Sequence, residues 1–244
     1  MKKLISLALG LMALGAMAQS HTFMSYNIRN GIGMDRVRSL ERVADVINAQ
    51  HPEIVAIQEV DSVTGRSGGS YVMAELGALT GLHHTFAPAI DYDGGQYGIG
   101  MLSKEAPIKV TRYPLPGREE ARALLVAEFD NYIFASTHLS LTMEDCLASV
   151  QILKDVAAQA SKPFYIAGDF NAEPDSEVIK ALGEFFRILT DTNVLTFPSD
   201  IPDRTLDYIM LYNPTETTPK VSKFEVIEAT MPSDHRPLLL QIEN

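Results

Sequence analysis

Apolar positions along this chain of 244 residues recur with two periods. Short runs rich in Ile, Val, Phe and Tyr, bounded by polar or turn-forming residues, predict strands over residues 22–28, 54–60, 98–103, 124–129, 132–138, 164–169, 205–211, 224–229 and 238–242. Helical spacing predicts helices over 40–50, 71–80, 143–160 and 176–182, and in the first of these Leu40, Val43, Ala44 and Ile47 share one face. Asp175-Ser176 provides an N-cap region for the last. Strands separated sometimes by helices and sometimes by turns predict an α/β protein with mixed sheets. The Gly/Asp-rich segments 61–70 and 91–96 are expected to be exposed loops at the mouth of a site.

The N-terminus changes the picture of where this protein works. Met1-Lys2-Lys3 is basic, an apolar stretch runs from Leu4 to Leu14, and Ala16-Met17-Ala18 supplies a small-x-small cleavage pattern. The expectation is a secretory signal peptide over residues 1–18, removed before Gln19. The apolar stretch is short for a span of ~20 residues, no charged stop follows it, and no Cys near the cleavage site offers a lipid anchor. The expected product is a soluble exported protein, periplasmic in a Gram-negative bacterium, with no stable membrane insertion.

Without that segment 226 residues remain, a length that suits one domain over 19–244, and no repeat or Pro/Gly/Ser linker divides it. Cys146 is the only cysteine, so no intramolecular disulfide forms, and it is expected to be a buried small apolar residue. The formal net charge of −11, which becomes −13 with the loss of Lys2 and Lys3, argues against a basic nucleic-acid face. A nuclease is still allowed, because bound metal offsets local negative charge.

Candidate chemistry lies where polar residues interrupt apolar runs. Pro232-Ser233-Asp234-His235-Arg236-Pro237 sets a carboxylate beside an imidazole, suited to a metal ligand next to a general acid or base. Glu59, read as the end of its strand, can hold a hard cation through oxygen or be an ordinary solvated strand end. Asn27 ends its strand likewise, as support for that metal or as a turn residue. Asp169 and Asn171, two positions apart, can orient a water and donate to a phosphoryl oxygen, or form an Asx turn, and both readings can hold together. His138 on its own reads as a structural strand-end histidine. Asp207 lies inside an apolar run and needs a partner, either His235 or Arg204.

Taken in order, Asn27, Glu59, His138, Asp169-x-Asn171, Asp207 and Ser233-Asp234-His235 resemble the endonuclease/exonuclease/phosphatase superfamily. The resemblance covers the whole chain after the signal segment. It implies a four-layered α/β/β/α sandwich of two packed mixed sheets with the site at one end. It also implies divalent-cation binding by Glu59 with help from Asn27 and Asp234, usually Mg²⁺ with Mn²⁺ as the alternative. His235, oriented by Asp207, would assist in-line attack of water, with His138 and Asn171 on phosphate oxygens and Asp169 placing water or leaving group. The choice of His235 or Asp169 as general base stays open.

Residues 97–104 resemble the family's middle motif, but Ile99 stands where Asn is frequent, so Tyr97 or Gln96 is expected to substitute for it. Thr137-His138-Leu139 is closer to the DNase I, sphingomyelinase and phosphoinositide-phosphatase branches than to abasic-site endonucleases. Arg66 is a candidate clamp for phosphate by bidentate hydrogen bonds and Arg122 a candidate to face the site, with a solvated surface position the alternative for either, whereas His83-His84 has no spacing partner for a zinc site. The reading is a monomeric, exported, Mg²⁺-dependent phosphoesterase acting on a small phosphorylated molecule or lipid headgroup. A secreted endonuclease for DNA or RNA and a noncatalytic binding domain on the same fold are the rivals.

Overall fold

The computed structural model describes residues 20–213 and 218–243; the expected signal segment lies outside them. In chain order the strands are β1 (Ser20–Asn27), β2 (Ile54–Ser62), β3 (His83–Tyr92), β4 (Gly95–Ser103), β5 (Lys109–Leu115), β6 (Arg122–Glu128), β7 (Ile133–His138), β8 (Phe164–Asp169), β9 (Phe186–Ile188), β10 (Asp207–Tyr212), β11 (Lys220–Val226) and β12 (Leu238–Glu243). The helices are α1 (Leu40–Gln50), α2 (Val72–Thr80), α3 (Met143–Ala157) and α4 (Glu177–Gly183). No helix among the described residues is long and apolar enough to cross a membrane.

The strands form two six-stranded sheets, ordered β11-β12-β1-β2-β4-β3 and β5-β6-β7-β8-β10-β9. Both are mixed. Each contains one parallel pair, β1/β2 bridged by α1 and β7/β8 bridged by α3, and its other pairs are antiparallel.

The central strands bury both faces, and their two parities belong to different cores. Phe23, Ile54, Phe134, Tyr165, Ile209 and Leu240 point between the sheets. The alternate residues Met24, Val55 and Leu239 pack under Leu40, Val43 and Ile47 of α1 and under α2. Phe164, Ile166 and Met210 pack under Val150 and Leu153 of α3 and under α4. Three stacked cores make the four-layered α/β/β/α sandwich.

Ser39 caps α1 by accepting from the Arg42 amide, and Ser176 caps α4 by accepting from the Ile179 amide. Sequence periodicity misses β3, β5 and β9. β3 is an edge strand with Pro88 beside a bulge, β5 is a polar edge strand, and β9 has three residues. Two expected loops need correction: Asp61 and Ser62 belong to β2, and 91–96 is mostly the paired end of the β3/β4 hairpin, turning at Asp93-Gly94. Cys146 is buried as expected.

Phe23 is the centre of the inter-sheet aromatic cluster, 5.0 Å from Phe134 and 4.8 Å from Tyr165 between ring centroids. Phe23→Ala removes contacts from both sheets at once, and the expected loss is about 3–5 kcal/mol in urea unfolding. A loss below about 1 kcal/mol would mean that this core does not hold the sheets together.

Candidate active site

At one end of the sandwich the chain leaves β1, β7 and β8 and enters β10 and β12, and the polar stops of the sequence meet there. Asn27 ends β1, His138 ends β7, Asp169 ends β8, Asp207 opens β10, and Asp234-His235 precedes β12. Glu59 does not end its strand. It sits in a bulge of β2, where pairing with β4 shifts register between Ile57 and Val60, and its φ of 58° is left-handed. The bulge turns the carboxylate toward the site while β2 continues to Ser62. Gly168 is required by the close approach of β7, since a Cβ there would strike the Thr137 carbonyl oxygen.

Asp169 is the hub. Its Oδ2 accepts from Asn27 Nδ2 at 3.0 Å and faces His138 Nε2 at 3.6 Å and His235 Nε2 at 3.5 Å. Its Oδ1 accepts from the Asn171 amide at 2.9 Å, which is the Asx turn anticipated from sequence. The Asn171 side chain donates to the Leu139 carbonyl. Asn27 Nδ2 also donates to Glu59 Oε1 at 3.0 Å, while Ser233 Oγ donates to the Asn27 carbonyl at 2.7 Å.

Asp207 is paired with His235, whose Nδ1 lies 2.9 Å from Asp207 Oδ2, and not with Arg204, which binds Asp203. Thr196 Oγ1 donates to the same oxygen at 2.6 Å, and Phe197 packs against the imidazole.

The two histidines carry opposite charge preferences. Burial disfavours the His235 imidazolium, but Asp207, Asp169 and Asp234 outweigh it and push His235 up to about 10. At His138 burial dominates, the Arg122 guanidinium adds to it despite Asp169, and the pKa falls to about 4. Glu59 is raised, first by burial and then, against the Asn27 hydrogen bond, by Asp234 and Asp169.

Asp234 and Asp169 thus bring carboxylate charge close enough to Glu59 to raise the cost of its own, and such an oxygen donor set fits a hard divalent cation. The ligating atoms of Asp169, Asp207 and His235 also lie within 4.8 Å of one another and could hold a metal ion.

Glu59, Tyr97, Arg122, His138, Asp169, Asn171, Asp234 and His235 line one cleft of about 400 Å³, together with Glu120, Leu141, Phe197, Arg204 and Leu206. Four expected residues are not among its lining: Asn27 and Asp207 stand behind it on Asp169 and His235, and Arg66 and Gln96 are engaged elsewhere. The Arg66 guanidinium is committed to Asp61 at 2.7 and 2.8 Å and stacks on Tyr92 and Tyr97, so its bidentate hydrogen bonds hold a loop. Gln96 is exposed on the β3/β4 hairpin and bonds Asp91. Ile99 is buried between the sheets, which leaves Tyr97 as the contribution of β4 to the cleft.

Sequence reasoning did not find Thr196, Phe197 or Arg29, whose Nε lies 3.3 Å from Asp234 Oδ2. Only Arg29 left a signal, as a cation two residues after Asn27.

The architecture and this cluster define a DNase I-like α/β sandwich with its site at one end. The model of the Endonuclease/Exonuclease/phosphatase family matches residues 24–235, and the chain belongs to this family. It is therefore a metal-dependent hydrolase acting on phosphoric ester bonds. Among solved structures it is similar to an endonuclease/exonuclease/phosphatase from Bacteroides vulgatus, with 18% identity, TM-score 0.75, and 92% of this chain and 99% of that one covered. It is also similar to a mannosyl-6-phosphatase from Bacteroides thetaiotaomicron VPI-5482, with 15% identity, TM-score 0.71, and 91% and 99% covered. The human Nocturnin catalytic domain with bound sulfate anion matches with 19% identity, TM-score 0.70, and 92% and 94% covered.

The Asp207–His235 pair makes stability depend on pH. His235 rises from 6.5 to about 10 on folding, so its contribution is complete below about pH 6.5 and is lost as the pH climbs through 10. Asp207→Asn in the metal-free protein is expected to lower the His235 titration midpoint measured by NMR and to flatten this loss. An unchanged midpoint would show that Asp207 does not set the charge of His235.

Proposed function

We propose that the chain is an exported, Mg²⁺-dependent phosphoesterase that hydrolyses a compact phosphorylated molecule, such as a sugar, inositol, nucleotide or lipid-headgroup ester, by direct attack of water. The single observation that carries the reading is the placement of Asp169 between two histidines of opposite charge preference, beside Glu59 and Asp234, in one cleft. Glu59 and Asp234 are the proposed cation ligands, with Asn27 holding Glu59 in place. Asp207 and His235 are already committed to each other by a hydrogen bond, which makes them the poorer metal pair. When bound, the cation supplies Lewis-acid stabilisation of charge on the phosphoryl oxygens.

Asp169, an acceptor on its free lone pairs, orients the attacking water. His235, held protonated by Asp207, donates to the oxygen that gains charge. His138 and the second N–H of the Asn171 amide face the remaining phosphate oxygens. No residue of this set is a nucleophile of the serine or cysteine type, which is consistent with direct hydrolysis.

The proposed substrate size rests on the cleft and its surroundings. A second chamber of about 370 Å³ shares Leu141, Asn171, Arg204 and Leu206 with the cleft and continues past Met143, Glu173 and Asp175. A leaving group of modest size fits there. Without residues 1–18 the chain has 18 Lys and Arg against 31 Asp and Glu and no Trp, which opposes a long phosphate backbone and offers no indole for base stacking. The mannosyl-6-phosphatase neighbour is a precedent on this fold for a sugar phosphate. Export rests on the composition of residues 1–18, and its check is the N-terminal sequence of protein recovered from the periplasm, which should begin at Gln19.

In assays with Mg²⁺, wild-type protein is expected to hydrolyse p-nitrophenyl or bis-p-nitrophenyl phosphate and small phosphate esters, with EDTA abolishing turnover. Glu59→Ala and His235→Ala are each expected to reduce kcat at least ~100-fold in a folded protein. Wild-type rates in either variant would overturn the roles of Glu59 and His235. Faster, salt-sensitive cleavage of plasmid DNA or RNA would make the protein a nuclease instead.

A further inference from the structure

Arg122 opens β6 at the side of the cleft and is almost wholly buried, 6% exposed, a rare setting for a guanidinium. Ion pairs and hydrogen bonds of its two Nη atoms account for its position. Nη1 lies 3.0 Å from Glu120 Oε1 and 3.3 Å from His138 Nδ1, and Nη2 lies 3.3 Å from Glu119 Oε1. The Glu120 contact is an ion pair, and the contact with His138 is the hydrogen bond of Nη1.

The second carboxylate is itself anchored. Glu119 accepts from Ser140 Oγ at 2.7 Å, from the Leu141 amide at 2.8 Å and from Thr142 Oγ1 at 3.2 Å. The guanidinium is therefore tied to the loop that follows His138 as well as to the imidazole.

A guanidinium donates and never accepts. The contact with His138 is a hydrogen bond only if Nδ1 of His138 carries the lone pair, which leaves the ring proton on Nε2. That proton points into the cleft, toward Asp169 Oδ2 at 3.6 Å. His235 is built the other way round: Asp207 can only accept, so Nδ1 of His235 must donate.

We infer that Arg122 is a positioning residue that locks His138 as the neutral Nε2–H tautomer, so that His138 presents a fixed hydrogen-bond donor to the phosphoryl group and cannot serve as the base. The assignment rests on the proposed hydrolysis only for its effect on rate; the tautomer itself is a property of the resting protein. Sequence offered Arg122 as a residue facing the site; it does line the cleft, but its two Nη atoms are turned to His138, Glu119 and Glu120.

The test is ¹⁵N NMR of histidine-labelled full chain near neutral pH, with the His138 resonances identified by their loss in His138→Gln. The expected spectrum has a non-protonated Nδ1 and a protonated Nε2. A protonated Nδ1 overturns the inference whatever the enzyme's substrate is. Arg122→Met is expected to give a mixture of tautomers and to lower kcat roughly ten- to hundredfold on p-nitrophenyl phosphate with little change in KM, and Arg122→Lys, which keeps a donor, to recover part of both. Unchanged tautomer and kcat in a folded Arg122→Met protein would equally overturn it. If that variant does not fold, the wild-type spectrum and Arg122→Lys decide the matter. A correct tautomer in a protein that turns over no phosphoester would leave this inference standing and reject the proposed reaction.

Discussion

The Asn27–Asp169 hydrogen bond joins residues 142 positions apart and links the ends of β1 and β8 across the two sheets. Almost every feature of the site depends on the two sheets meeting at that point. The bond is possible because Phe23, Phe134 and Tyr165 bring β1 into packing distance of β7 and β8 lower in the same core. The aromatic layer sets the spacing, and the polar layer above it uses the spacing. Asp169 then has one oxygen satisfied by its own Asx turn and the other shared by a fixed amide and two imidazoles.

Burying so many carboxylates at one end is expensive unless each has a defined donor or a counter-charge. The structure answers that in three ways. Asp207 takes Thr196 and the His235 ring, Asp169 takes Asn27 and the Asn171 amide, and Glu119 takes the loop after His138 together with Arg122. Glu59 receives only Asn27, and with Asp234 beside it and its proton affinity raised it is where the divalent cation is proposed to bind. Opposite charge preferences of His138 and His235 follow from the same economy: both rings are buried beside Asp169, but His138 has a guanidinium on its other nitrogen where His235 has the Asp207 carboxylate.

A good deal of this was legible in the sequence. Both-face burial of the central strands appears as continuous apolar runs, so eight of the twelve strands could be placed near their true positions, with β11 placed a few residues late. The strands that failed were edge strands, where alternate polarity, a proline or a length of three residues leaves little signal. Arg66 illustrates the limit on the site. A lone arginine in a Gly/Ser-rich loop looks like a phosphate clamp, yet Asp61, buried in the extended end of β2, takes its guanidinium.

The sequence by itself determined the elements, the order of the polar stops and the family they resemble, because strand periodicity and local motif chemistry are written in neighbouring residues. Only the tertiary structure decided that Glu59 sits in a bulge, that Asp207 belongs to His235, and that Arg122 contacts His138 while Arg66 is used elsewhere. Hydrogen-bond partners come from distant strands, and their identity follows from which sheet faces which, a property no single segment carries.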